Sequence, residues 1–126
     1  FTGEIKSKKN GKIIKGMKEG AWLEYWDDGK ISSVTNYKNG QYDGEYLIYY
    51  ENGELMHKGN HKDGKNEGEQ LRYYESGQLD YKRNYKDGKN EGEYVSYYEN
   101  GKLYLKKYHT PTPYKKYDVV HRNINF

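Results

Sequence analysis

The sequence predicts an all-β protein, a single-layer open antiparallel sheet of tandem 24-residue β-hairpin repeats with irregular capping segments at both ends. Three observations carry this expectation. Glycines recur on a lattice of 24: Gly16, Gly40, Gly64 and Gly88; Gly20, Gly44, Gly68 and Gly92; Gly29, Gly53, Gly77 and Gly101. Twelve of the 15 glycines lie on it, the mark of stacked supersecondary units. Side chains repeat on the same lattice, with Leu23, Leu47, Leu71 and Val95 in one column and Tyr25, Tyr49, Tyr73 and Tyr97 in another. Finally, strand-forming runs such as Glu45-Tyr46-Leu47-Ile48-Tyr49-Tyr50 end in turn pairs, and nothing in the repeat has a helical period.

Taken along the chain, residues 1–109 read as the array and 110–126 as a C-terminal capping tail. Residues 1–19 form a partial repeat: Gly3-Glu4-Ile5 resembles a turn segment, set two residues out of step. Full repeats start at 20, 44, 68 and 92. Within each, Asp28-Gly29, Asn52-Gly53, Ser76-Gly77 and Asn100-Gly101 predict two-residue type I′ turns, Ser76 fitting least well. Such a turn sets Trp26 opposite Ile31, Tyr50 opposite Leu55, Tyr74 opposite Leu79 and Tyr98 opposite Leu103. A longer connector, Asp63-Gly64-Lys65-Asn66-Glu67-Gly68 in the second repeat, leads into the next hairpin. In the tail Thr110-Pro111-Thr112-Pro113 ends the lattice, and a capping strand or hook is expected to cover the last open edge.

Composition bounds the function. Only 33% of the chain is hydrophobic, and 17 tyrosines supply much of that, as suits a thin sheet whose rings are buried while their hydroxyls stay wet. The 22 basic and 19 acidic residues leave a net charge of +3, short of a nucleic-acid-binding footprint. The Lys58, Lys82, Lys106 column and the Glu51, Glu75, Glu99 column read as an interleaved, solvated surface. There is no cysteine, which excludes disulfides and thiolate chemistry. No apolar run reaches the ~18 residues of a membrane span. The chain starts at Phe1 and not at Met, which favours an extracytoplasmic location with an upstream segment removed.

The pattern Gly44-Glu-Tyr-Leu-Ile-Tyr49-Tyr50-Glu-Asn-Gly53-Glu-Leu55, together with Tyr85-Lys-Asp-Gly88-Lys-Asn-Glu-Gly92, resembles the MORN repeat, specifically its bacterial variant class, over about residues 13–109. The resemblance implies antiparallel hairpin arrays that serve as binding or assembly modules. Many such members are labelled antitoxins, others resemble secreted or surface-anchored proteins, and MORN repeats have been linked to membrane lipids. His61 stands where the pattern has Tyr37 and Tyr85, Gln70 replaces an aromatic, and Trp26 replaces a tyrosine.

No catalytic centre is expected. His57 and His61, four apart on one strand, would lie about 13 Å apart, too far to share one metal. His61 and His109 fall on a tyrosine column, so replacement explains them. Ser7, Ser32, Ser33, Ser76 and Ser96 read as turn or exposed strand residues without a nucleophile elbow. The acidic column repeats at about 9.6 Å, the outer limit for a glycosidase pair. Gly-x-x-x-Gly recurs, but no helix follows to hold a phosphate. The expectation is a non-enzyme without cofactor or metal.

Binding is the better prospect. Alternation puts Trp22, Tyr46, Gln70 and Tyr94 on one face with Glu24, Ile48, Arg72 and Ser96, joined by Ser33, His57, Tyr81 and Leu105 from the return strands. Columns that repeat unchanged hold the stack, and columns that vary are free for recognition. Aromatic residues and arginine dominate interface hot spots. Trp22, Tyr46, Ile48, Arg72, Tyr81 and Tyr94 are therefore the expected partner-binding residues, with packing between repeats as their other reading. A protein partner is expected, in an antitoxin- or immunity-like scaffold. A secreted module engaging host protein or glycan is the alternative. A lipid partner would use Lys58, Lys82, Lys106, Lys115, Lys116 and Arg122, and near-balanced charge argues against it. Open edges and uncovered faces also allow a homodimer.

Overall fold

The computed structural model describes residues 9–110, which form one antiparallel sheet of 11 strands and no helix. The strands are β1 (Lys9–Ile14), β2 (Met17–Tyr25), β3 (Ile31–Lys38), β4 (Gln41–Tyr49), β5 (Leu55–Lys62) and β6 (Lys65–Asn66), followed by β7 (Gly68–Tyr73), β8 (Leu79–Lys86), β9 (Lys89–Asn90), β10 (Gly92–Tyr97) and β11 (Leu103–His109). Hydrogen bonding follows chain order, with β6 and β9 as short extensions that pair with β5 and β8. The Gly3-Glu4-Ile5 segment and the expected capping tail from Pro111 onwards lie outside the described residues.

All twelve lattice glycines have positive φ, a conformation that side chains with a Cβ seldom adopt. The columns do different jobs. At Lys38-Asn39-Gly40-Gln41 the two central residues have φ of 51° and 81°, a type I′ turn, and Asp63-Gly64 and Asp87-Gly88 repeat it. The predicted connectors are thus tight hairpins. The Asn52-Gly53 turns, in contrast, are not type I′: only the glycine has positive φ. Gly53 N–H donates to Tyr50 C=O (3.0 Å) and Tyr50 N–H to Glu54 C=O (2.9 Å), a three-residue loop. The Asn52 side chain accepts from Glu54 N–H at 2.9 Å, as do Asp28 and Asn100 from Lys30 and Lys102, while Ser76 reaches Gln78 at only 3.4 Å.

This corrects the expected pairing beside the turn. Leu55 lies opposite Tyr49 and not Tyr50, and likewise Ile31, Leu79 and Leu103 face Tyr25, Tyr73 and Tyr97. One strand position further on, a bulge at Met56 cancels the extra loop residue, so that Ile48 still pairs with His57 as alternation requires.

Cross-strand rows then define two faces. One row runs Glu24, Ser33, Ile48, His57, Arg72, Tyr81, Ser96, Leu105. The opposite face carries Leu23, Val34, Leu47, Lys58, Leu71, Lys82, Val95, Lys106. Among the described residues Val95 is the only buried apolar side chain, so there is no thick core. On Val95's face the lysines join glutamates across strands: Lys58 to Glu45 (3.8 Å), Lys82 to Glu69 (3.8 Å) and Glu93 (3.9 Å), and Lys106 to Glu93 (3.3 Å). These pairs are partly exposed and individually weak, and they give the interleaved surface its order.

Units are fastened to each other at both margins. The Tyr50 hydroxyl donates to Tyr73 C=O and the Tyr74 hydroxyl to Tyr97 C=O, each at 2.7 Å. At the other margin Glu19 accepts from Asn39 N–H (3.0 Å), Asp43 from Asp63 N–H (3.2 Å) and Glu67 from Asp87 N–H (3.1 Å). The following glycine of each turn donates to a carbonyl of the preceding unit: Gly40 to Lys18, Gly64 to Tyr42, Gly88 to Asn66. Trp26 occupies the Tyr50 column but carries no hydroxyl, and its buried indole N–H has no acceptor.

Candidate functional site: an aromatic sheet face

The six residues expected to bind a partner all lie on one face and all are half-buried. Trp22 and Tyr46 extend across β2 and β4, flanking Thr35 of β3. Each ring lies on the backbone of a glycine that is off the lattice and has ordinary φ. The Trp22 indole covers Gly11, and the Tyr46 ring covers Gly59, its cross-strand partner. A Cβ at Gly59 would come within 2.6 Å of the Tyr46 hydroxyl oxygen. Trp22 is further fixed by its indole N–H, which donates to Lys12 C=O at 3.2 Å.

Rings then follow one another across the sheet. Trp22 meets Tyr37 edge-on at 6.3 Å, Tyr37 meets Tyr42 at 5.3 Å, and Tyr42 stacks on His61 at 4.8 Å. His61 stacks on Tyr46 at 4.7 Å, Tyr46 meets His57 edge-on at 5.4 Å, and Tyr81 links His57 (6.4 Å) to Tyr94 (6.0 Å). These spacings fall in the range of favourable aromatic pairs, about 4.5–7 Å. Ile48 fills the row between Ser33 and His57. Arg72 sits between His57 and Tyr81 and is held by Asp80 at 3.5 Å. Asp80 is a bulge residue, so the extra residue turns a carboxylate to where Arg72 can use it.

Each of the six touches a neighbouring unit while part of its surface stays open. Several residues that the sequence reading passed over also belong here. Arg83 lies over Tyr81 (4.9 Å) and Tyr94 (5.1 Å), Lys18 lies 4.9 Å from both Trp22 and Tyr37, and Lys107 lies 5.4 Å from Tyr94. The signal was present: Thr35, Gly59, Arg83 and Lys107 form a column that varies on this face. Gln70 is buried and donates to Asn66 Oδ1 at 2.7 Å. Ser96, expected to be an exposed strand residue, is buried instead. His57 and His61 do not approach as ligands of one site, because Tyr46 lies between them.

Burial shapes the titration of the face. It pushes the Tyr46 phenol up to about 12, with Tyr81 and Tyr85 adding to the effect. It holds His61 below 6.5, and it does the same for His57, where the Arg72 and Arg83 guanidiniums also disfavour a second cation. A base whose folded pKa is lowered binds fewer protons in the folded than in the unfolded state, so stability rises with pH and drops on acidification. The full contribution is present above the ordinary value of 6.5 and is lost as pH falls from there through the lowered folded value. The melting temperature is expected to fall between pH of about 7.5 and about 5.5, and a His57→Gln/His61→Tyr variant should flatten that dependence. An unchanged slope in the variant would assign the effect to other groups.

A model of the MORN repeat variant matches residues 18–39, 42–63, 66–87 and 90–109, four consecutive units in register with the hairpins. No curated protein matches the chain.

Proposed function

We propose that this chain, which belongs to the MORN repeat variant family, is a non-catalytic scaffold that docks a partner protein on its aromatic face, in an antitoxin- or immunity-like role. The family is one of binding repeats. The observation that carries the reading is a run of half-buried rings and an arginine, on a sheet whose described residues supply no second layer to cover it. Rigid aromatic anchors held by neighbouring rings lose little entropy on docking, and they sit beside the charged groups that set orientation. Trp22, Tyr46, Ile48, Arg72, Tyr81 and Tyr94 are the residues assigned to it. A surface-exposed module that engages host protein or glycan is the second reading, supported by the exposed rings of Tyr42, Tyr98 and Tyr104, on which sugars could stack.

Site-directed photocrosslinking in source-cell lysate tests the first reading. A crosslinker at Tyr81 should trap one discrete protein partner, and a crosslinker at Asn60, on the opposite face, should not. Trp22→Ala/Arg72→Ala should reduce the Tyr81 product at least tenfold, the loss of about 1.4 kcal/mol or more. A product from Asn60 alone would move the binding surface to the other face.

A further inference from the structure

Charge is divided unequally between the two faces. Lys58, Lys82 and Lys106 all have carboxylate partners within 3.9 Å on their own face. On the aromatic face Arg72 has Asp80, but Arg83, Lys107 and Lys18 have no ion-pair partner among the described residues. Arg83 and Lys107 instead share one ring, with the guanidinium carbon 5.1 Å and the ammonium nitrogen 5.4 Å from the Tyr94 centroid. The ring offsets the missing counter-charge of these cations only in part, since a cation–π contact is weaker than a carboxylate ion pair at such a site. Arg83 is also incompletely bonded: Nη1 donates to the Tyr85 hydroxyl at 3.0 Å, while its buried Nε–H has no acceptor.

We propose that Arg83 and Lys107, placed against Tyr94, receive a carboxylate, and that the partner seated on the aromatic face is a protein presenting an acidic segment. The proposal rests on the reading of this face as the docking surface and names the chemistry of what docks there. A carboxylate docked beside Tyr94 accepts from the Lys107 ammonium or from the exposed part of the Arg83 guanidinium, and supplies the counter-charge that neither cation has among the described residues. The rings of Tyr81 and Tyr94 keep water from that contact, which strengthens it. At the far end, Lys18 over Trp22 and Tyr37 offers a second carboxylate position, so cations stand at both ends of the run of rings. An acidic segment with aromatic or apolar residues between its carboxylates matches that order. A phosphate-rich membrane or nucleic acid calls for a denser basic field than these separated cations and a net charge of +3 provide.

The test uses the full chain, labelled with ¹⁵N, and a Glu- and Tyr-containing dodecapeptide as probe. Saturable shifts of the Arg83 Nε–Hε and Tyr94 backbone resonances are expected, together with weakening by salt and absence of binding when Gln replaces Glu in the peptide. Arg83→Gln/Lys107→Gln should weaken binding about tenfold or more, whereas Lys82→Gln/Lys106→Gln on the other face should leave it unchanged. Equal binding of the Gln peptide, or an equal loss in the Lys82/Lys106 variant, overturns the proposal. So does binding of phosphatidylserine vesicles or a single-stranded oligonucleotide at these residues without binding of the Glu peptide. If Trp22→Ala/Arg72→Ala abolishes the photocrosslink to the natural partner and Arg83→Gln/Lys107→Gln does not, the acidic partner is wrong and the docking face stands. If neither variant affects the crosslink, the docking face itself is wrong.

Discussion

Gly59→Ala is expected to lower the melting temperature by roughly 5–15 °C, from an overpacking cost of about 1–3 kcal/mol in a domain of this size. The added methyl group would sit 2.6 Å from the Tyr46 hydroxyl oxygen and 2.7 Å and 2.8 Å from two ring carbons. The ring would have to lift from the sheet, breaking its stack with His61 and its edge contact with His57. In a Tyr46→Ala background the sign should reverse. Gly59 does not have positive φ, so without the ring above it alanine only restricts the unfolded chain and should stabilise by about 0.4–1 kcal/mol. Thermal melts of the four proteins decide the matter. An equal loss in both backgrounds would mean that the backbone, and not the ring, requires glycine.

Deleting residues 44–67 should leave a folded, cooperatively melting protein, whereas deleting 44–55 should abolish folding. The longer deletion removes one whole 24-residue period and joins Asp43 to Gly68, so each turn still meets the carboxylate and tyrosine of a neighbouring unit. Because units touch only their neighbours, the cost is one unit and one junction, with a fall in melting temperature on the order of 10 °C. The shorter deletion is half a period. It joins Asp43 to Met56, brings a connector strand against the wrong kind of turn, and leaves Asp63 N–H and Tyr50's partner carbonyl unmatched. Circular dichroism melts of both deletions are the check, and a half-period deletion that melts as cooperatively as the full one would sink this account.

Much of the architecture was legible because glycine reports backbone directly: twelve of the sixteen positive-φ positions among the described residues are glycines, and those twelve keep one period. The faces were legible too, since alternation placed Ile48 with His57 and Arg72 with Tyr81. The turn types were not. Asn52-Gly53 and Asn39-Gly40 present the same dipeptide, yet only the second has both residues at positive φ. The bulge at Met56 compensates the longer loop, so a pattern of alternating side chains fits either turn equally well. At the candidate site the six named residues share a face as expected, while Arg83 and Lys107 were missed. Long flexible side chains choose their contacts by reach, and the varying column of Thr35, Gly59, Arg83 and Lys107 does not by itself show that two of its members meet the ring of Tyr94.

The fastenings between units also give the array a direction in time. Each connector turn is gripped by a carboxylate 20 residues earlier in the chain, Glu19 for Asn39, Asp43 for Asp63 and Glu67 for Asp87. On a ribosome the acceptor is therefore already made when the turn emerges. The hydroxyls of Tyr50 and Tyr74 instead wait for carbonyls 23 residues later. One margin of the sheet can close as soon as a hairpin is extruded, while the other stays unlatched until the following unit arrives. Synthesis then adds hairpins like steps onto a fixed ladder, and the growing end keeps one free tyrosine ready for the next.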